Sequence, residues 1–256
     1  MTRMNVEYLV QSEEEVRQAT HASWDAGAAL LGYIDTLLLL PYAIQTAEEK
    51  NDDSSESMFR FWVFDRYVQA PYSFRALLIL WERGYYAEAT PVLRHILETF
   101  IQIRYFLDHR DRFQKHVLAT TQRERVPFYD MFEEFSPGYY HKHYGRWLSG
   151  VSHAGLAALV FSEFIPPAEP SGTGTQVPKS GCEFSEKNFS WLMNQTLPLV
   201  YGYLNYFPMC FKTVPDADIE TRRTAAMKQL EEWESGYRKA HPRAEEWLNL
   251  MDKIVR

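Results

Sequence analysis

Apolar residues in this chain recur every three to four positions and almost nowhere alternate one by one. A period of 3.6 places them on one face of an α-helix, whereas a half-buried strand needs a period of two. Glycine is sparse, at 12 in 256 residues, and no Asn-Gly or Asp-Gly pair is present to close a hairpin. The patterning predicts an all-α fold: a multi-helix, largely antiparallel bundle of about seven to nine helices. A chain of this length buries roughly 70–75% of its unfolded surface, so one domain over the whole sequence needs no metal or disulfide staple. The two cysteines, Cys182 and Cys210, exclude a disulfide scaffold and a four-thiolate zinc site.

Helix signals can be followed along the chain. Ser12 and Glu15 have capping-box spacing, which predicts a helix start there. From Val16 through Ala19, Trp24, Ala28, Leu31, Ile34 and Leu38 one apolar face continues to Pro41, a breaker. Ala26 to Ile44 holds 19 residues with a single charge, Asp35, long enough to span a bilayer. The central Asp35, Pro41 and the absence of closely flanking Lys or Arg favour a buried helix instead. The N-terminal MTRMNVEYLVQSEEEV lacks the apolar core of a signal peptide, so a cytoplasmic location is expected. A second helix is predicted from about Ser57, interrupted at Pro71 and ended by Gly84. The next, about Tyr86 to His109, carries the clearest signal. Shorter helices are expected near 111–124, 127–135, 140–148 and 153–164, with a turn at Ser136-Pro137-Gly138. Residues 165–185 hold four Pro and three Gly and are expected to form an exposed, partly mobile loop. Helix returns over about 186–212, with Pro198 and Pro208 as kink points, then over about 216–239 and after Pro242.

On a wheel of the 86–109 helix, Val92, Leu93, Ile96, Leu97, Phe100, Ile103 and Leu107 share one apolar arc. Arg94, His95, Glu98, Gln102, Tyr105 and His109 form a polar stripe. Arg104 falls inside the apolar arc, so it must find a partner or sit where the helix leaves the core. Three readings of Arg94 and Glu98 stay open: a solvated one-turn pair, a buried structural ion pair, or a polar spot facing a cleft. In the third, an Arg fork, an imidazole and a carboxylate can hold a phosphate or move a proton.

The run Trp81-Glu-Arg-Gly84-Tyr-Tyr-Ala-Glu88-Ala89, with Leu93-Arg94, Leu97-Glu98 and Arg104-Tyr105, resembles a bacterial all-helical family of unknown function. Members of that family share a Gly, a Glu-Ala pair, an Arg and a Glu at similar spacing. Leu148-Ser149 and Ser152-His153 are similar to its later Ser/His segment. The resemblance covers about 75–155 and implies a helical fold with no activity to transfer.

More remotely, the chain resembles HEPN-like helical nucleases, in which four to six residues separate an Arg from a later His. That resemblance implies RNA cleavage, the His acting on the 2′-hydroxyl and the Arg steadying phosphate. Arg104/His109, Arg110/His116 and Arg146/His153 have the spacing, a number that chance nearly supplies. His153 stands out at a predicted helix start, where the dipole favours neutral imidazole. His141 and His143 point apart on a helix, so they chelate metal only from extended backbone, with His153, Asp130 or Glu133. Nothing in the sequence asks for a cofactor: there is no P-loop, dinucleotide fingerprint or nucleophile elbow.

Lys+Arg is 27 against Asp+Glu 34, a formal charge of −7, which argues against a generic nucleic-acid binder. Aromatic residues make up 15% of the chain. The leading expectation is therefore a helical module that binds a protein or small-molecule partner. Its aromatic-lined cleft would lie near Tyr85, Tyr86, Tyr105, Tyr139, Tyr140 and Trp147, with His95 and Gln102. Arg94, Glu98, His153 and Arg146 would supply its polar site. The alternative is a HEPN-like ribonuclease acting as a dimer on RNA. The third is a metal-dependent enzyme built on His141, His143 and His153. A homodimer is the default assembly, and no membrane association is expected.

Overall fold

A computed structural model of the protein describes residues 6–23, 32–38, 54–138, 140, 186–211 and 217–240. We label the helices α1 (Val6–Ser23), α2 (32–38), α3 (Ser54–Glu82), α4 (Tyr86–Asp108), α5 (Arg110–Leu118), α6 (Phe128–Phe135), α7 (Glu186–Phe211) and α8 (Ala217–Ala240). A single 3-10 turn, Gln122–Glu124, lies between α5 and α6. Among the described residues there is no strand. None of their helices is long and apolar enough to cross a membrane. In α2, Tyr33, Ile34 and Leu37 are buried while Asp35 is exposed, the pattern of an amphipathic segment.

The all-α expectation holds, and α4 is its centre. It packs chiefly on α3 and α7 and also touches α5 and α6, while α1 rests on α3 and α8 on α7. Its observed bounds, Tyr86–Asp108, lie within a residue of those read from the sequence. The turn before it explains why. Gly84 takes φ +82°, its N–H donates to Trp81 O at 3.0 Å, and the Tyr85 N–H donates to Leu80 O at 2.9 Å. These are the two bonds of a Schellman stop, which uses the carbonyls that a helix end leaves over. Helix α1 fastens the corner: Glu13 accepts from Tyr85 Oη at 2.6 Å and from Arg83 Nη1 at 2.7 Å. Gly84→Ala should strain the left-handed residue and lower Tm by about 2–4 °C, with Gly84→Asn milder. Calorimetry of the three proteins checks this; an alanine variant as stable as wild type would contradict it.

Four expectations are corrected. Ser12 lies inside α1, and Glu15 Oε1 accepts from Gln11 Nε2 at 3.0 Å. Val6 to Gln11 contains no breaker, so the helix runs on past a cap-like spacing. Pro71 lies inside a continuous α3. Phe59, Val63 and Tyr67 before it and Phe74, Leu77 and Trp81 after it are buried, and this packing outweighs the roughly 3 kcal/mol proline penalty. The helix expected over 111–124 stops at Leu118, where Ala119 turns extended. Tyr105, placed on the polar stripe, is 1% exposed. A wheel assumes one covered face, but α5 and α6 close the other side of this part of α4.

Two proline expectations are refined in α7, which runs through both Pro198 and Pro208. A proline at 208 leaves the carbonyl four residues earlier without its helical donor. That carbonyl, on Leu204, accepts from Arg223 Nη1 of α8 at 3.0 Å, while Arg223 also grips Glu220. Beyond Tyr140, the helices expected over 140–164, the 165–185 loop and the segment after Pro242 lie outside the described residues.

Candidate functional site

The polar stripe of α4 is a half-buried strip. Arg94 Nε donates to Glu98 Oε1 at 2.8 Å, with the two side chains 22% and 28% exposed. The helix sets this contact, since residues four apart stand one above the other. Tyr140 joins them from beyond α6. Burial pushes its phenol pKa up, the Arg94 charge opposes that shift, and the Glu98 charge adds to it. The ring of Tyr140 lies 5.0 Å from that of Tyr129, 5.7 Å from Phe132 and 6.3 Å from Phe128. Tyr140 thus connects the aromatic rings of α6 with the charges of a guanidinium–carboxylate pair. Gly138, at φ +78°, makes the turn that leads the chain from α6 to Tyr140, and its N–H donates to Glu133 at 2.8 Å.

Of the residues predicted for the site, Arg94 and Glu98 pair directly, and the charges of both act on Tyr140. Gln102 is half-buried one turn beyond Glu98, and His95 is exposed. Tyr86 is buried, and Tyr85 is half-buried with its hydroxyl on Glu13. Tyr105 is a core residue whose hydroxyl accepts from Arg112 Nη1 at 2.5 Å. Tyr139, His141, His143, Arg146, Trp147 and His153 lie outside the described residues. Among the described residues, no group of three His, Cys, Asp or Glu side chains could hold a metal ion.

Two of the three Arg/His spacings can be followed. Arg104 Nη1 donates to Asp108 at 2.8 Å, while His109 Nε2 meets Glu134 Oε1 at 2.7 Å. Arg110 Nε lies 3.8 Å from Glu56 Oε2. His116 Nδ1 accepts from the Val126 N–H at 3.1 Å, and its ring packs 5.0 Å from that of Phe106. Burial lowers the pKa of His116, and the Arg125 charge lowers it further, so the ring is held neutral with its proton on Nε2. Each of these four side chains has a partner outside its own Arg/His pair.

The structure also brings together a group of side chains that sequence reasoning did not link. Where α3 begins, α4 ends and α5 begins against α7, a cavity of about 360 Å³ is walled by Glu56, Arg104, Leu107, Asp108, Arg110, Tyr206 and Met209. The Arg104 guanidinium sits 4.7 Å from the Tyr206 ring and 5.3 Å from the Phe135 ring. The Arg110 guanidinium lies 3.3 Å from the Phe59 ring centre. Burial pulls the Arg110 pKa down, opposed by Glu56. Arg104 Nε and Arg110 Nη1 are buried and have no hydrogen-bond partner among the described residues. The one sequence signal was Arg104 inside an apolar arc. Glu56 and Tyr206 are remote in sequence, so nothing local could link them to it.

A known family overlaps the part of the chain that holds most of α3 together with α4 and α5. A family of unknown function, DUF5677, matches residues 63–126. The match includes Gly84, Arg94, Glu98, Arg104 and Arg110 and stops before the Ser149–His153 segment. No curated protein and no solved structure matches the chain.

Proposed function

We propose that this chain is a helical binding module that reads a small ligand or a short segment of a partner protein at the polar stripe of α4. One observation carries the reading: the charges of the half-buried Arg94–Glu98 pair act on Tyr140, whose ring packs against Phe128, Tyr129 and Phe132. A fork of donors and a carboxylate orient a polar head, and rings take an apolar or planar body. Tyr129, 41% exposed, offers ring surface to such a body. His95 and Gln102 flank the stripe. In this proposal Tyr139, Arg146, Trp147 and His153, which lie within 13 residues of Tyr140 in the sequence, complete the site. His141 and His143 would then border it without a metal.

The test is a thermal-shift panel of nucleotides, aromatic carboxylates and short peptides on wild type, Arg94→Gln, Glu98→Gln and Tyr140→Ala. At least one compound class should raise the wild-type Tm, as ligands that bind only the folded state do. Arg94→Gln should weaken that ligand at least tenfold, the loss of one charge-assisted hydrogen bond. Identical responses from all four proteins would overturn the proposal. Cleavage of a single-stranded RNA by a wild-type dimer, lost in both Arg94→Gln and His153→Ala, would replace it with the HEPN-like reading.

A further inference from the structure

We propose that the outward stripe of α3 is a self-association surface, which pairs antiparallel with the same stripe on a second copy of this chain. The inference goes beyond the site proposed on α4 and does not depend on it. The first argument is exposure. Phe61, Tyr72 and Ile79 are 73%, 68% and 39% exposed, on a helix whose other large apolar side chains are buried or half-buried. Phe61, Asp65, Val68, Tyr72, Arg75 and Ile79 follow one another in steps of four, three, four, three and four. At 3.6 residues per turn these six share an arc of about 80° and run along roughly 27 Å of helix. That alternation is the seam of a helix packed lengthwise on another helix. A row of exposed apolar side chains marks a protein contact. Pro71 is buried and stands off the row, so its ring does not enter the seam.

The second argument is what the row fits. In an antiparallel pair, residues equally far from a common centre face each other, and each facing occurs twice about the two-fold axis. With that centre at Ala70, which is 4% exposed and turned to the core, Phe61 faces Ile79, Asp65 faces Arg75 and Val68 faces Tyr72. Apolar side chains then meet apolar ones, and the acid meets the base. Sliding the copy by one heptad would set Asp65 on Val68 or Arg75 on Tyr72. A parallel copy would set Asp65 on Asp65 and Arg75 on Arg75, an arrangement that like charges oppose.

The charges are open to such a partner. Arg75 is exposed and has no ion pair or hydrogen bond among the described residues. The Asp65 side chain is 45% exposed; it accepts from Gln69 Nε2 at 2.9 and 3.0 Å and lies 3.3 Å from Arg66 Nη1. Both contacts come from its own helix, and a carboxylate has about four acceptor positions, so a donor from outside can still be taken. A single helix pair is a small interface, so the dimer should exchange with monomer at micromolar concentration. At much lower concentration the chain is monomeric, and the row then adds nothing to its folding stability.

The experiment is analytical ultracentrifugation of the full chain from about 1 to 200 μM. Wild type should pass from monomer to dimer across that range. Asp65→Arg or Arg75→Asp alone would put like charges face to face at two places and should raise the dimer Kd at least tenfold. An equimolar mixture of these two variants should dimerise within a few-fold of wild type, as should the double variant Asp65→Arg/Arg75→Asp. Misfolded protein cannot imitate that rescue. Wild type still monomeric at the highest concentration would leave the row to a different partner and overturn the proposal. A wild-type dimer weakened by neither single variant would place the interface elsewhere, and a mixture that stays monomeric would overturn the pairing of Asp65 with Arg75.

Discussion

Phe100→Ala is expected to remove about 3–5 kcal/mol of folding stability, the range for deleting a fully buried aromatic ring. Phe100 is 0% exposed at the centre of α4. Its ring lies 5.3 Å from that of Tyr203 and 5.6 Å from that of Tyr206, so it forms much of the α4–α7 seam. Neighbours on long helices cannot collapse into the space it leaves, because each is pinned by its own packing. Domains are stable by only about 5–15 kcal/mol, so the variant should unfold at a clearly lower urea concentration or fail to fold. Phe61→Ala is the control: that ring is 73% exposed, and its loss should change stability by no more than about 0.5 kcal/mol. Equal urea midpoints for the two variants would mean that Phe100 does not sit in the core.

Alkaline destabilisation is the second large effect. Tyr67, Tyr203 and Cys210 form one buried group between α3 and α7. Tyr67 Oη donates to Tyr203 O at 2.8 Å, and the Tyr67 ring also packs against Phe207 and Phe211. Burial pushes both phenols well above their ordinary value of 10.0. It pushes the Cys210 thiol from 9.0 up to about 12. The sign follows from linkage. In the unfolded chain these groups release protons near pH 9–10, while the folded chain keeps them bound. The unfolded state therefore binds fewer protons above pH 9, and stability falls as pH rises. Below about pH 8 the three groups are protonated in both states and contribute no slope. Each raised group shifts the folding equilibrium by up to about tenfold per pH unit within its window. Urea midpoints from pH 8 to pH 11 should decline with increasing steepness above pH 9. Tyr67→Phe should flatten part of that decline and, at pH 7, cost about 0.5–1.5 kcal/mol for the buried hydrogen bond that is lost. A flat profile to pH 11 would show that the seam is open to water.

The sequence reading succeeded where the physics is local. The α4 bounds were legible because Gly84 stops the preceding helix by a backbone requirement and α4 carries a broad apolar arc. The Gly138 turn was legible for the same reason. The reading of Arg104 was half right: it did need a partner, and Asp108, one turn on, is visible from spacing alone. The Tyr206 and Phe135 rings beside it come from other helices and were not visible. Pro71 and Ser12 misled because propensity rules weigh a residue against solvent, and here the competing term was burial or simple helix continuation. The aromatic excess suggested a ligand cleft. Much of it fills the core instead, with Trp81, Tyr67, Tyr105 and Tyr203 among the largest fully buried side chains.

Helix type and order, the Gly84 corner and the partner-seeking character of Arg104 were set by residues within a turn or two of each other. Such features follow from backbone sterics and a 3.6-residue period, which act along the chain. The burial of Tyr105, the Arg223 bond to the Leu204 carbonyl freed by Pro208, and the meeting of Arg104 with Arg110 and Glu56 were decided only by packing. Each depends on which helix covers which face, and that choice is made by the summed burial of all the helices together. No single stretch of sequence carries it.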